Sequence, residues 1–324
     1  MAAHDGTAPA PVVDLSGVAA VVVTYRRRRL AGGVVRSLVE VEGLDPRRVV
    51  VVVNGEGGLD DPDLEHRVHM LRLPGNEGPA GGFLHGLTTV FANPAVEWAY
   101  LCEDDVGLFD IPAPRVLDVL RRASSVAGHA APIGAIVAYG RTFTAHGGHT
   151  VNVVPPPQTG DALLPVDVAC WGETLVSRAV VDAGVLPDPA WFFGYEDFDF
   201  FCRVRAAGFG VMVDAPAARA AADAQTSRGR AQVLAPHRPV DGGEAWRAYY
   251  TARNYFTFAR RHGSPSWAAW HLAYSLRRLQ LAGTASERRA YLHGLWDGIR
   301  GRLGMNPRYL SRLGELPPPD SPVP

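Results

Sequence analysis

The chain has 324 residues, of which 47% are apolar and 20% are charged, and its formal net charge is -1. This composition is typical of a soluble globular protein, and a net charge so close to zero gives no general attraction to nucleic acid. Every basic residue is arginine, which excludes a Schiff-base lysine and the lysine of a Walker phosphate loop.

The first third of the sequence predicts an open α/β sheet. The continuous β-branched runs "VAAVVVTY" and "RRVVVVVNG" are typical of strands buried on both faces, and the helical segment "LAGGVVRSLVEVEGL" separates them. The runs "VHMLRLP" and "WAYLC" predict a third and a fourth strand. Strand, helix and strand in this order indicate a parallel sheet, and such sheets bind ligands beyond the carboxyl ends of their strands.

The fourth predicted strand ends in three carboxylates, Glu103, Asp104 and Asp105. While the chain stays extended, residues two apart face the same way, so Glu103 and Asp105 can share one cation. Hard divalent ions such as Mg²⁺ and Mn²⁺ prefer oxygen ligands, and one or two often come from the protein. A solvated surface turn is the alternative interpretation of this triplet.

A glycine-rich segment, "LPGNEGPAGGFLHGL", precedes that strand. Its glycines allow a tight turn and a close approach to a ligand, and the helix that follows offers free N–H groups to an anion. The segment is neither a Rossmann fingerprint nor a Walker loop.

A second acidic cluster lies in "WFFGYEDFDFFCRVRAAG", where Glu196, Asp197 and Asp199 stand at a predicted helix start. Asp199 and Arg203 are four residues apart, which predicts an ion pair on the helix. A carboxylate within hydrogen-bond reach of an alcohol can serve as its general base, which is a role that Glu196 or Asp197 could fill.

From Glu244 onward the pattern is helical and rich in Trp, Tyr and Arg. Two interpretations stay open for the segment with Trp267, Trp270, Tyr274, Arg277 and Arg278: packing against the sheet, or lying on a membrane surface. The chain has no apolar stretch long enough to span a bilayer and no secretory signal pattern. We therefore expect a cytoplasmic protein, with a peripheral contact to the inner face of the cell membrane as a further hypothesis.

Six motifs occur in a familiar order: "VVVTYRR", "VVVVVNG", "NEGPAGGFLHGL", "CEDDV", "WGETLVSRAVVDAGVLPDPAWFFGYEDFDFFCRVRAAG" and "YYTARNYFTFARRHG". Over roughly residues 15 to 310 the chain resembles the bacterial family-two inverting glycosyltransferases of GT-A fold, in the rhamnosyltransferase and galactofuranosyltransferase branch. The resemblance implies an α/β nucleotide-diphospho-sugar transferase fold, with a mostly parallel central sheet flanked by helices and a helical C-terminal segment. The domain boundaries expected from it are a disordered tail at 1–14, a catalytic domain at 15–230 with a nucleotide-binding half at 15–110 and an acceptor half at 111–230, a helical segment at 231–312, and a Pro-rich tail at 313–324.

The resemblance also implies roles for individual residues. Asp197 matches the general base, with Glu196 beside it, and Glu103 and Asp105 match the ligands of a Mn²⁺ or Mg²⁺ ion. The residues that match positions near the sugar-nucleotide donor are Thr24, Tyr25, Arg26, Asn54, Asn76, Gly81, Gly82, Asp104 and Trp171. Relatives often carry a further metal-ligating His after the strand that matches "FGVMVD". Here either Asp223 or His237 replaces it, or the metal has one protein ligand fewer.

The expected reaction transfers a sugar, rhamnose or galactofuranose, from a UDP- or dTDP-linked donor to a hydroxyl of a glycan, a lipid-linked carrier or a small molecule. Cell-wall polysaccharide biosynthesis is the expected setting, and no nucleic acid is expected as a partner. Two alternatives remain: a sugar nucleotidyltransferase, and a protein that binds sugar nucleotides without catalysis. A nucleotidyltransferase would carry its Gly-rich loop directly after the first strand, where this chain has "TYRRRRLAGG".

Overall fold

The computed structural model describes residues 14–104, 116–125, 131–144, 150–232, 245–281 and 284–309. Asp105, His237, residues 1–13 of the predicted N-terminal tail and the whole predicted C-terminal tail lie outside these residues, and so the predictions for them stay predictions. The expected division into domains is likewise neither confirmed nor contradicted.

Eleven strands and ten α-helices are formed by the described residues. The strands are β1 Val18–Thr24, β2 Val49–Val53, β3 His69–Arg72, β4 Trp98–Glu103, β5 Ile133–Val137, β6 Gly140–Phe143, β7 Thr150–Asn152, β8 Leu163–Pro165, β9 Val168–Ala169, β10 Thr174–Ser177 and β11 Gly210–Asp214. The helices are α1 Arg28–Arg36, α2 Pro62–Arg67, α3 Gly78–Phe91, α4 Val116–Ser125, α5 Arg178–Asp182, α6 Glu196–Ala206, α7 Ala215–Gln232, α8 Ala245–His262, α9 Pro265–Leu281 and α10 Ala285–Ile299.

The central sheet has eight strands in the order β3-β2-β1-β4-β10-β5-β11-β8. The first four are parallel to one another, as the β-branched runs predict, and β5 and β11 form a further parallel pair. Only β10 and β8 pair antiparallel with their neighbours in this sheet. The predicted fold class is therefore confirmed: a mostly parallel sheet, flanked by helices, with a helical C-terminal segment.

Both faces of the sheet are covered by apolar clusters, which explains why β1 and β2 are buried at every position. Val21 and Val23 of β1 face α3 and α6, whereas Val22 belongs to the cluster on the side of α1 and α4. Helix α3 lies very close to β1, because a Cβ atom at Gly82 would come 2.5 Å from the Cγ1 atom of Val23. This contact places the N-terminus of α3 beside the carboxyl end of β1.

The C-terminal helices α8, α9 and α10 pack together beside the sheet. Aromatic residues of α8 hold them there, with Tyr249 and Tyr250 buried in a cluster that also contains Phe192. None of the described helices combines the length and the apolar content that crossing a bilayer requires.

Candidate active site

A cavity of about 300 Å³ opens at the carboxyl ends of β1, β2 and β4. Its walls include six of the residues that the sequence singled out, namely Thr24, Tyr25, Asn54, Asn76, Glu103 and Asp104. Phe192, Phe193 and the first turn of α8 close the other side. A wider depression of about 740 Å³ lies at the opposite, amino ends of β1 and β4. Because open α/β sheets bind ligands at the carboxyl ends, the smaller cavity is the candidate site.

Asp104 is fixed by two partners at the end of β4. One of its carboxylate oxygens accepts a hydrogen bond from the Thr24 hydroxyl at 2.8 Å, and the other lies 3.1 Å from the Arg27 guanidinium. The Asp104 carboxylate is buried, and a buried negative charge is tolerated only when such partners compensate it. Asp104 therefore ties the end of β4 to the chain that follows β1.

Asn54 holds the glycine-rich segment against the end of β2. Its amide nitrogen donates to the Gly78 carbonyl at 2.8 Å, and its amide oxygen accepts from the Glu77 N–H at 2.7 Å. The Asn76 side chain accepts from the Gly78 N–H at 2.9 Å. Gly78 has φ +72°, and a Cβ atom there would overlap the Phe192 carbonyl, so no other residue fits this turn.

Residues 189–195, here called the carboxylate loop, lead into α6 and position Glu196 and Asp197. Two of them, Phe192 and Tyr195, are non-glycine residues in the left-handed region, with φ of +64° and +67°. Each such residue costs on the order of 1–2 kcal/mol, so the surrounding structure must hold the loop in place.

Helix α8 provides that support through two buried neighbours, Arg253 and Asn254. The Asn254 amide nitrogen donates to the carbonyls of Trp191, Phe193 and Gly194 at 3.1, 2.7 and 2.8 Å. Arg253 donates to the Trp191 carbonyl at 2.9 Å and, through Nε, to the Asn254 amide oxygen at 2.7 Å. The guanidinium also stacks on the Tyr250 ring, 4.7 Å from its centroid. Helix α8 thus holds the carboxylate loop in the conformation that positions Glu196 and Asp197.

The environment of Glu196 and Asp197, the two acids that follow this loop, disfavours their ionised forms. Burial and the neighbouring Asp197 raise the pKa of Glu196 well above its ordinary value, and the Glu103 charge adds to this effect. Burial raises the pKa of Asp197 to about 6, although its hydrogen bond from the Phe198 N–H and the nearby Arg141 oppose the rise. Glu103 at the end of β4 therefore lies within electrostatic reach of Glu196 on α6.

Two residues of this site were not singled out from the sequence. The Cys170 thiol donates a hydrogen bond to Asp197, and burial, with the Asp197 and Glu103 charges, raises the pKa of that thiol. Arg141 lies close enough to lower the pKa of both groups, and its Nε is held 2.7 Å from the Thr150 hydroxyl. Neither residue belongs to an acidic or glycine-rich motif, so only the packing of the small sheet β7-β6-β9 brings them here.

The donor set suits a divalent cation only in part. No three His, Cys, Asp or Glu side chains come together as a metal cluster in the part of the chain that the structure describes, which leaves out Asp105. Glu196 Oε2 is buried without a hydrogen-bond partner among the described atoms, and the Glu103 charge acts on it. A cation would offset this surplus of negative charge, and Mg²⁺ or Mn²⁺ needs only one or two protein carboxylates when phosphates supply other ligands.

Four of the expected donor-site residues do not line the cavity. Gly81 and Gly82 lie inside α3 rather than in a loop, where their lack of a side chain lets the helix pack on Val23 and on its own first turn. Trp171 is buried among Phe83, Phe200 and Phe201. Arg26 turns away to Glu56 at 3.1 Å, with its guanidinium over the Tyr25 ring. A direct role for these four in donor binding stays a prediction.

The predicted pair of Asp199 and Arg203 is confirmed, with Nε 2.8 Å from Oδ2. His262 of α8 adds a second contact at 2.7 Å to the other oxygen. Burial works against ionisation of Asp199, but these two partners outweigh it and lower the pKa of that carboxyl. Asp199 is therefore a structural carboxylate. Asp223, the suggested substitute for a metal-ligating His, is exposed on α7 and does not line the cavity.

No family model matches the chain, and no curated protein matches it. Among solved structures, the chain resembles the crystal structure of GalNAc-T7 with UDP, GalNAc and Mn²⁺, at 12% identity and a TM-score of 0.43, over 62% of this chain. It spans only 42% of the length of that protein. A crystal structure of A197 from STIV resembles it at 11% identity and a TM-score of 0.34, over 60% of this chain and 80% of that one. Likeness at this level assigns neither a family nor an activity.

Proposed function

We propose that the protein is an enzyme that transfers a group from a nucleoside-diphosphate ligand bound at the strand ends. The cavity supports this class of function because it combines a polar floor, formed by Thr24, Asn54 and Asn76, with the arginines Arg27 and Arg247 in its walls. Arginine and free backbone N–H groups are the usual partners of a diphosphate.

Within that class, we infer an inverting glycosyltransferase of GT-A fold. The observation that carries this inference is the strand-end carboxylate Glu103, whose charge acts on the buried Glu196. The next residue, Asp197, has a pKa of about 6. A general base works best when its pKa lies near the working pH, and Asp197 meets that condition. The remote resemblance of the sequence to family-two glycosyltransferases points the same way.

The proposed reaction is a single displacement. Asp197 accepts the proton of the acceptor hydroxyl while that oxygen bonds to the anomeric carbon of the donor sugar. The bond from this carbon to the diphosphate oxygen breaks, and its electron pair leaves with the nucleoside diphosphate. Thr24, Tyr25, Asn54 and Asn76 hold the nucleotide in this scheme. Glu103, with Asp105, would hold Mn²⁺ or Mg²⁺, which supplies charge neutralisation on the leaving group.

For the donor we propose UDP-galactofuranose or dTDP-rhamnose, and for the acceptor a glycan or a lipid-linked carrier of cell-wall polysaccharide synthesis, with a small molecule as the alternative. Titration calorimetry with UDP, dTDP and GDP, each with and without Mn²⁺, tests the donor side. We expect one nucleotide to bind tightly only with the metal, and Glu103→Gln to weaken that binding. Glu97→Gln is the matched control, because Glu97 is exposed at the opposite end of the same strand region.

Turnover separates this proposal from a protein that only binds sugar nucleotides. Release of UDP from UDP-galactofuranose, or of dTDP from dTDP-rhamnose, is measured for the wild type and for Asp197→Asn. A wild type that binds a nucleotide but releases no product from either donor, with any acceptor hydroxyl supplied, favours the non-catalytic alternative. If none of the three nucleotides binds, both the glycosyltransferase proposal and the non-catalytic alternative are contradicted.

A further inference from the structure

Helix α9 shows an unusual distribution of side chains. Its most buried described residues are polar: His271 is 1% exposed and Ser275 is fully buried. His271 stacks on Tyr255 with 3.9 Å between ring centroids, and the Ser275 hydroxyl lies 3.3 Å from the Tyr291 hydroxyl of α10. The side of α9 that meets the rest of the protein is therefore partly a polar one.

The outer face of α9, defined here by Trp270, Leu272, Tyr274, Leu276 and Arg277, is mostly apolar. Its four apolar side chains are between 39% and 59% exposed, and Arg277 is exposed among them. Trp267, by contrast, packs inward on Phe143 at 5.0 Å between centroids. Exposed Trp, Tyr and Leu side chains together on one helix are typical of a surface that another body covers.

The exposed charges of the segment that carries α9 and α10 are of one sign. Residues 265–309 contain seven arginines and only two acidic residues, in a chain whose net charge is -1. Both acids, Glu287 and Asp297, are buried, with 5% and 4% exposure. Helix α10 adds an exposed row of Leu292, Trp296 and Ile299, with the Arg300 guanidinium stacked 4.2 Å from the Trp296 ring centroid. Within the described residues of this segment, the exposed charges are therefore all positive.

We propose that the outer face of α9 lies on an anionic lipid surface. Arginine and exposed tryptophan beside leucine are the combination that amphipathic helices use at the headgroup boundary, where the apolar side chains enter the lipid and the arginines meet phosphate groups. A second copy of this chain fits less well, because a twofold interface would set the same excess of arginines against itself. Nucleic acid would gain nothing from Leu272 and Leu276.

The proposal does not rest on the glycosyltransferase activity, since it depends only on the helices after residue 265. Membrane binding would, however, favour one class of acceptor for that activity. A protein held on an anionic leaflet meets acceptors that carry a lipid tail, so the two inferences together favour a lipid-linked acceptor over a free small molecule.

Sedimentation of the full chain with vesicles tests the proposal, using pure phosphatidylcholine and phosphatidylcholine mixed with phosphatidylglycerol. We expect binding to the mixed vesicles only, weakening as salt is added. The double variant Trp270→Ser, Leu276→Ser should bind about tenfold more weakly, because it removes apolar area from the contact. Arg277→Glu should reduce binding by a similar factor through charge reversal alone.

Two matched controls change equivalent residues elsewhere on the surface. Val41→Ser removes an apolar side chain that is 55% exposed, and Arg67→Glu reverses an exposed arginine on α2. Both should bind like the wild type. Failure of the wild type to bind mixed vesicles overturns the proposal, and so does equal loss in the controls. Sedimentation velocity that shows a dimer abolished by Arg277→Glu would instead assign the face to self-association and overturn it.

Discussion

The strand ends and the carboxylate loop position their residues by different means. Thr24, Asn54 and Glu103 lie at the ends of neighbouring parallel strands, so the hydrogen bonds of the sheet fix their positions. Glu196 and Asp197 follow a loop with two strained residues, and side chains of α8 hold that loop from outside. The strand-end side is held by the hydrogen bonds of the sheet itself, whereas the loop side depends on side chains of α8, about 60 positions further along the chain.

This difference has a consequence for stability and function. A change at a strand end should leave the sheet intact and affect mainly ligand binding. A change in the α8 support should displace the acids even though the altered residue touches no ligand.

The largest effect should come from Asp197→Asn. Loss of a general base typically lowers kcat by about 10²–10⁴-fold, while the amide keeps the shape of the side chain and so preserves nucleotide binding. Release of nucleoside diphosphate from the donor measures kcat, and calorimetry measures binding. Asp161→Asn, at an exposed position, is the control. Unchanged turnover in Asp197→Asn would remove this residue from the mechanism.

Asn254→Asp should destabilise the protein by about 2–4 kcal/mol. The substitution replaces a donating amide with a carboxylate that faces three carbonyl oxygens in a buried place. The Phe193 and Gly194 carbonyls lose the Asn254 donor, and only the Trp191 carbonyl keeps one, from Arg253. Urea unfolding measures the loss, and kcat should fall more than nucleotide affinity does. Asn152→Asp, on the exposed strand β7, should change neither quantity. A variant as stable as the wild type would mean that α8 does not hold the loop.

Gly82→Ala should cost about 1–3 kcal/mol, because its Cβ would overlap Val23 and push α3 away from β1. Gly75→Ala is the matched control, since a Cβ there meets nothing within 4 Å. Thermal unfolding of the two variants compares them directly. If Gly82→Ala loses nucleotide binding without losing stability, Gly82 acts on the donor as the resemblance implies, and not through packing.

The pH dependence of stability should distinguish Asp197 from an ordinary surface acid. Its pKa is raised to about 6 in the fold, so the folded state favours the protonated form, and stability falls as pH rises from about 4 to about 6. Asp197→Asn removes this loss. We expect the variant to gain about 1–2 kcal/mol over the wild type between pH 4 and pH 7, less than the full shift gives, because Asp197 is partly exposed. A constant difference across this range would contradict the raised pKa.

Thr24→Val should have the smallest effect, about 1 kcal/mol, since Asp104 keeps its ion pair with Arg27 when the hydroxyl is removed. Chemical unfolding measures this cost, with Thr159→Val, at a partly exposed position, as control. A loss as large as that of Asn254→Asp would show that the two sides of the site are not supported differently.

The sequence predicted the strand-end side well. Residues at the ends of parallel strands share one edge of the sheet, so Glu103 could be placed there from the pattern. The family resemblance added Thr24 and Asn54 at the ends of β1 and β2. For the loop side, the sequence pointed to Glu196 and Asp197 but not to the α8 residues that hold the loop. Cys170 and Arg141 were not predicted. Gly81 and Gly82 were expected in a loop and lie in a helix, because small residues allow close helix packing as readily as they allow turns.

The parallel sheet, its buried strands and the acids at the end of β4 could be predicted from the sequence, because hydrophobic periodicity and the alternation of strand and helix are local properties of the chain. The tertiary structure decided the rest: which acid is buried enough to have a raised pKa, how α8 holds the strained carboxylate loop, and which face of α9 stays exposed. These depend on contacts between residues far apart in sequence, and burial and charge at a site are sums over all such neighbours.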